Sequence, residues 1–443
     1  MLWSALGGYL LLPSVFGIDL PGVPDLDKIV AVDLAAIYAL VRYPWKGKKP
    51  EGEKLYLLLT LVLIVAPFFT AYTNKDVLSF GPESINGLTY YDGLSLAVAK
   101  ALMIAPFWAG RRLLGNEAGH LLILKGLLAA TLVYSIFVVF EIRFSPQLHG
   151  WVYGYKPFTA LQQARYGGFR AVVFLNQGLQ IALLLGQAII AAIVLRRNPG
   201  RVLGLPYGLA IAGLIGVLLY QKSLGAIILT SFFGILLLFL PPRRQLFITS
   251  LAALFLVSYP AVRTQELAVL DYVTSLSGAI DPSRQQSFQF RLKNETMLLE
   301  RGQERPYFGW GGWNRNQPHD ERRGRVISVL DGAWIIIFSE NGWVGYLALF
   351  GMLCLPLIML SRARKRMGPI SPYTAGLAVL LALNLLDLIP NYSMSPVTWM
   401  IAGALSSLGI RKRKPAEPAP SGPAPTDPEL KPAGSSTPVP EAA

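Results

Sequence analysis

Arginine, tryptophan and glycine crowd one polar stretch of an otherwise apolar chain. Between residues 263 and 345 the sequence carries Arg284, Arg291, Arg301 and Arg305, then Phe308-Gly-Trp-Gly-Gly-Trp313, then Arg315, Arg322, Arg323 and Arg325. Guanidinium groups bind phosphate through paired N–H donors, so Arg291, Arg305 and Arg315 are candidate ligands for a phosphorylated group. Tryptophan faces near arginine stack on sugar rings. Trp310, Trp313 and Trp334 are the candidates, and anchoring at a bilayer interface is their other role. Earlier, Gln162-Gln-Ala-Arg-Tyr-Gly-Gly-Phe-Arg170 brings Arg165 and Arg170 to the start of an apolar run. Gly167 and Gly168 let a ligand approach the backbone there. These arginines either bind phosphate or snorkel to the interface. Lys222, in a short turn between apolar runs, is either an interfacial lysine or a further cation facing the same ligand. Three side chains can take a proton. Asp331 opens an apolar segment, where it can equally cap a helix. Glu295 sits one helical turn from Arg291. His319 is nearest to neutrality in its ordinary pKa, although a solvated loop histidine is its plainer role. Cys354 is the single cysteine, and His120 and His149 lack ligand-like spacing, so no metal site and no cofactor are expected.

These residues need a frame, and composition supplies it. Of 443 residues, 53% are hydrophobic and 15% charged, against about a quarter charged in soluble domains. Continuous apolar runs exclude a β-barrel and give an all-α polytopic membrane protein. About twelve transmembrane helices fit, over 3–20, 27–43, 55–71, 92–109, 118–140, 171–195, 202–219, 224–240, 246–262, 342–360, 372–389 and 395–410. The net charge of +14 does not imply nucleic acid, because basic clusters sit at the ends of the runs. Arg42 to Lys49, Arg111 and Arg112, Arg196 to Arg201, Arg243 and Arg244, Arg362 to Arg366 and Arg411 to Lys414 all fall on one side of a twelve-span frame. By the positive-inside rule that side is the cytoplasm, with both termini. The first apolar run has no basic segment before it and reads as a span rather than a cleaved signal. The domains are then 1–262, nine helices; 263–341, a large loop on the side opposite the cytoplasm holding short helices near 264–276, 286–300 and 331–340; 342–410, three helices; and 411–443, a tail too poor in apolar residues to fold.

Several segments together resemble the O-antigen ligase and O-antigen polymerase superfamily of bacterial inner-membrane proteins. Arg165, Gly168 and Phe174-Leu-Asn176 are similar to its Arg, Gly and Asn run entering a span. Ser223-Leu-Gly-Ala226 is similar to its Ser-Arg-Gly-Ala turn, with Leu224 in the arginine's place. Arg291 followed by Pro306-Tyr-Phe-Gly-Trp-Gly311 matches an arginine and Pro-x-Phe-Gly-x-Gly. Glu340-Asn-Gly-Trp-Val-Gly345 matches Glu-x-Gly-x-x-Gly. Ligases of the family carry His-Asn about eight residues before that glutamate, where this chain has Asp331-Gly332.

The resemblance implies metal-independent transfer of a glycan from undecaprenyl diphosphate to an acceptor hydroxyl at the periplasmic face, in lipopolysaccharide or exopolysaccharide synthesis. It implies Asp331 as the proton acceptor, ahead of His319 and Glu295. It also implies a shared diphosphate site of Arg165, Arg170, Arg291 and Lys222, with Arg305 or Arg315. The missing histidine favours a polymerase or a divergent ligase. The partners are the lipid-linked glycan, a glycan or lipid acceptor and membrane lipids, with no nucleic acid. The alternative is a polysaccharide or lipid transporter without covalent chemistry, whose polar groups belong at mid-bilayer; Lys125, Asn384 and Asp387 are the candidates there. The orientation predicts that an impermeant thiol reagent applied to intact spheroplasts labels Gln317→Cys and spares Lys48→Cys, and the reverse pattern overturns it.

Overall fold

The computed structural model describes residues 1–19, 24–44, 50, 52–156, 163–165, 167–265 and 282–407. It is mostly helical. In chain order the helices are α1 (Leu2–Leu11), α2 (Lys28–Arg42), α3 (Glu53–Thr73), α4 (Tyr90–Met103), α5 (Ala105–Leu113), α6 (Glu117–Phe144), α7 (Leu148–Tyr153), α8 (Gly178–Leu195), α9 (Tyr207–Tyr220), α10 (Leu224–Phe239), α11 (Pro242–Arg263), α12 (Pro282–Gln303), α13 (Ala333–Ala363), α14 (Pro372–Asp387) and α15 (Pro396–Ser406). Among the described residues, six segments are long and apolar enough to cross a membrane: α3, α4 with α5, α6, α8, α11 and α13. Five more apolar helices are shorter. The strands described are all two-stranded antiparallel hairpins between helices.

Local sequence explains where the helices begin. Asp27 caps α2, accepting from the Ile29 and Val30 N–H groups at 2.9 and 2.8 Å. Thr89 and Asp92 form a reciprocal capping box on α4. The Asn116 side chain accepts from Gly119 N–H to start α6. Helices α8 and α14 bury nearly every side chain and lie in the interior, packed against each other. Helices α11 and α13 pack together beside them, with α3 on the other flank of α13. Where α5 crosses α15 the backbones touch: a Cβ on Gly110 would meet Met400 O at 2.1 Å, and one on Gly403 would meet Phe107 O at 1.9 Å. Such small-residue contacts are the usual close crossings of membrane helices.

Two expectations change. The first apolar run, expected as a helix over 3–20, is helical only to Leu11; Leu12 is extended and Gly17–Ile18 pairs with Leu26–Asp27. The helix expected over 171–195 begins at Gly178. Residues 171–175 are fully or nearly buried and not helical, and side chains satisfy their backbone. Glu141 accepts from Val172 and Val173 N–H at 2.9 and 2.7 Å. Tyr134 Oη accepts from Phe174 N–H at 3.0 Å, and Lys28 Nζ donates to Phe174 O at 3.0 Å. Gln221 both accepts from Ala171 N–H and donates to Ala171 O. Irregular backbone inside an apolar bundle persists only with such partners. At α13 the expected short helix over 331–340 is present from Ala333, and the helix expected from 342 follows it across a break at Gly342. The helix expected near 264–276 and the tail over 411–443 lie outside the described residues, apart from 264 and 265.

Helix α13 is broken at Gly342, whose φ of 61° and ψ of −169° are open essentially to glycine alone. An unbroken helix would bond Trp343 N–H to Ser339 O and Val344 N–H to Glu340 O. Instead, the turn 306–311 enters the gap and satisfies all four groups. Trp310 and Gly311 N–H donate to Ser339 and Glu340 O, both at 2.9 Å, and Trp343 and Val344 N–H donate to Pro306 and Tyr307 O at 2.7 and 3.1 Å. Helix α3 grips the turn from behind: Thr70 Oγ1 donates to Phe308 O at 2.7 Å and Asn74 Nδ2 to Gly309 O at 2.9 Å. A Cβ on Gly342 would lie 2.4 Å from Tyr307, and one on Gly309 2.4 Å from Glu340, backbone in both cases. Alanine at either position should therefore lower stability by at least about 1–3 kcal/mol from backbone strain alone. Gly312, with nothing within 4 Å of its Cβ position, is the control and should change by under about 0.5 kcal/mol as alanine. Melting of the purified protein in detergent measures all three.

Candidate functional site

Arg291 and Glu295 lie one turn apart on α12 and face the same cavity, of about 110 Å³. Asp331, just ahead of α13, lines it as well, with Tyr259 of α11, Asn294 and Pro390. The cavity thus sits where α11, α12, the start of α13 and the α14–α15 connection meet. That connection also ends the backbone of α13, since Ala333 N–H donates to Leu388 O and Asn391 O at 3.0 and 3.2 Å. Asn294, buried, accepts from Val329 N–H at 2.9 Å and fixes the strand of chain leading to Asp331.

The charges are arranged asymmetrically. Arg291 Nε stands 3.8 Å from Asp331 Oδ2, and its Nη1 donates to Pro390 O at 3.2 Å. Their side chains are 34% and 38% exposed, so this pair opens to solvent. Glu295 is only 12% exposed. Arg263, from the end of α11, donates through Nε to Glu295 Oε2 at 3.4 Å, and Trp334 Nε1 donates to Oε1 at 3.4 Å. Arg263 Nη2 also reaches Thr296 Oγ1 and Leu292 O at 3.0 and 3.2 Å, which fixes the guanidinium on α12. Burial pushes the Glu295 carboxyl above its ordinary range; the Trp334 hydrogen bond and the charges of Arg263 and Arg291 oppose it. Asp331 does not cap α13. Gly332 occupies that position without a side-chain cap, leaving the Asp331 carboxylate to Arg291.

Arg305 and Arg315 belong to a second group. Arg305 Nη2 donates to both oxygens of Asp76 at 2.9 and 2.8 Å and its Nη1 to Thr73 O. Arg315 is fully buried, donates to Asn86 O at 2.8 Å and stands 3.6 Å from Asp76. The Arg301 and Arg305 guanidinium groups both lie against the Trp310 ring, 3.4 and 4.2 Å from its centroid, and its Nε1 donates to Arg301 O at 2.6 Å. Ten residues of helix separate Arg301 from Arg291, about 15 Å along the axis. This second cluster ties the segment after α12 to the connection between α3 and α4.

Arg170 and Lys222 form a third group: Arg170 Nη2 donates to Lys222 O at 3.1 Å, and Lys222 Nζ reaches over Gly168. Neither lines the Arg291 cavity. Arg165 lies in the strand Ala164–Arg165, and its side chain falls outside the described residues. Of the tryptophans, Trp334 is fully buried on Tyr259, in an edge-on contact of 4.8 Å, and Trp310 is enclosed; Trp313, 54% exposed, presents a free face. His319 stacks on Phe80 at 4.3 Å and pairs with Gln317 O through Nδ1. Burial lowers its pKa, the Gln317 contact opposes that, and the Arg301 charge adds to it.

Three residues escaped the sequence reading. Arg263 and Tyr259 close the last turn of an apolar helix four residues apart, a spacing that signals a shared face. Asp76 gave no signal, because its arginine partners are more than 200 residues away in sequence. No cluster of three or more metal-ligating side chains occurs among the described residues. Comparison of the chain with protein-family models and with curated proteins returns no match.

Proposed function

We propose that the protein is a membrane glycosyltransferase with twelve spans and both termini in the cytoplasm. In this reading it moves a glycan from a polyprenyl diphosphate such as undecaprenyl diphosphate to an acceptor hydroxyl on the outer side of a bacterial inner membrane. The observation that carries the reading is the cavity in which Arg291 stands beside two carboxyl groups, at the junction of apolar helices and polar loop. Such transfer asks little else of a protein. The departing diphosphate needs cations, and the acceptor hydroxyl needs a base. A guanidinium half open to solvent can turn from Asp331 toward a phosphate, and the apolar helix ends beside it suit a lipid tail. Supporting it further, two segments of the resemblance, 306–311 and 340–345, hydrogen-bond to each other.

A transporter is the second reading, favoured by Asp33 in the interior of α2. It is 2% exposed, with one carboxyl oxygen lacking a hydrogen-bond partner, and buried ionisable residues within membrane helices mark substrate or proton paths. Products decide between the readings. Incubated with purified undecaprenyl-diphosphate glycan, the transferase releases undecaprenyl diphosphate, whereas a transporter returns its substrate unchanged. For a transferase, Arg291→Lys should lose at least about 10²-fold in kcat/KM, the scale of one lost transition-state donor group. Wild-type rates in that variant would remove paired N–H binding of the diphosphate from the reading.

A further inference from the structure

Two carboxyl groups face the cavity, and their surroundings separate their tasks. We infer that Glu295 is the catalytic residue that takes the acceptor's proton, and that Asp331 is a positioning residue that holds Arg291. This deepens the glycosyltransferase reading and rests on it.

The first argument is spatial. In a direct displacement the acceptor oxygen, the anomeric carbon and the departing oxygen lie nearly in line. The base therefore belongs on the acceptor's side and the phosphate-binding cation on the opposite side. Asp331 is in ion-pair contact with Arg291 at 3.8 Å, which puts it on the leaving-group side. Glu295 is displaced from Arg291 by one helical turn, about 5–6 Å between Cβ atoms, which leaves room for the reacting atoms between them.

The second argument is preorganisation. Each Glu295 oxygen meets one donor, Trp334 Nε1 or Arg263 Nε, both at 3.4 Å. Those contacts fix the plane of the carboxylate yet leave lone pairs for an incoming hydroxyl. Trp334 is itself wedged against Tyr259, and Arg263 is tied to Thr296 and Leu292. Asp331 is three times as exposed as Glu295, and its guanidinium contact is longer, 3.8 Å against 3.4 Å. Among the described residues, the charged and titratable groups around Glu295 are Arg263 and Tyr259 from α11, Arg291 on its own helix and Asp331 ahead of α13. Burial dominates them and makes this carboxylate a stronger base than an ordinary one.

The step balances with no other reagent. The acceptor O–H proton passes to a Glu295 oxygen, the acceptor oxygen forms a bond to the anomeric carbon, and the bond from that carbon to the diphosphate oxygen breaks. Both electrons of that bond leave with the polyprenyl diphosphate, whose charge Arg291 receives.

The experiment follows release of undecaprenyl diphosphate from undecaprenyl-diphosphate glycans extracted from the producing cells, across pH, with the full-length protein. Wild-type kcat should fall as pH drops through a carboxyl pKa above the ordinary range, since the proton acceptor is then occupied. Glu295→Gln should lose at least about 10²-fold in kcat, the scale of general-base catalysis, and lose the acid limb with it. Glu295→Asp should be slower than wild type but keep the limb. Asp331→Asn should keep the limb and raise KM. Undecaprenyl diphosphate binding and thermal melting of each variant separate chemistry from folding. Glu295→Gln at wild-type kcat overturns the assignment, and so does loss of the acid limb in Asp331→Asn alone. No release by the wild-type protein is a different result, which removes the transferase reading itself.

Discussion

The structure depends on keeping every backbone polar group bonded while a helix is broken inside an apolar bundle. At Gly342 two helical hydrogen bonds of α13 are lost, and the 306–311 turn returns four in their place. Each buried group left unpaired would cost about 1–3 kcal/mol, so turn and break persist only together. Because α3 also grips the turn through Thr70 and Asn74, one small knot joins an early helix, the polar segment and a late helix. The first half of α13 is thereby aimed so that Trp334 meets Glu295 and Asp331 meets Arg291.

The same rule governs residues 171–175. There the missing helical partners are replaced by Glu141, Tyr134, Lys28 and Gln221, side chains from three different helices or their ends. Burying such groups is costly unless they are bonded, and here each one bonds to backbone. The segment is thus set rigidly next to Arg170 and Gly178, beneath the third group of cations. Charge within the bundle shapes the chain at this point.

Much of the frame is legible in the sequence, because apolar runs bounded by basic clusters report helices directly: an α-helix occupies part of each of the twelve apolar segments. What stays hidden is where a run contains backbone that is not helical. Ala171 to Leu175 is as apolar as any helix, and its irregular path is satisfied by side chains distant in sequence, Glu141, Tyr134, Lys28 and Gln221. The Pro306–Gly311 motif was legible as a special turn, but composition cannot say that its glycines and Trp310 face protein. Arg305 and Arg315 illustrate the limit. Their type suggested phosphate, and Asp76, a residue of the connection between α3 and α4, takes both. Arg291 and Glu295 were found correctly as neighbours because a helical spacing is local, whereas Arg263 reaches them only through the fold.

The break at Gly342 also sets a length. Straight, the 31 residues of α13 would extend about 46 Å, well beyond a hydrocarbon core of about 30 Å. Cut at the glycine, residues 343–363 span ~32 Å, which matches that thickness, and residues 333–341 make a stub of ~14 Å that can lie along the headgroup layer. The glycine is a hinge between the two pieces, so in a membrane-embedded α13 a mismatch in thickness would be taken up where the stub carrying Trp334 leaves the longer piece.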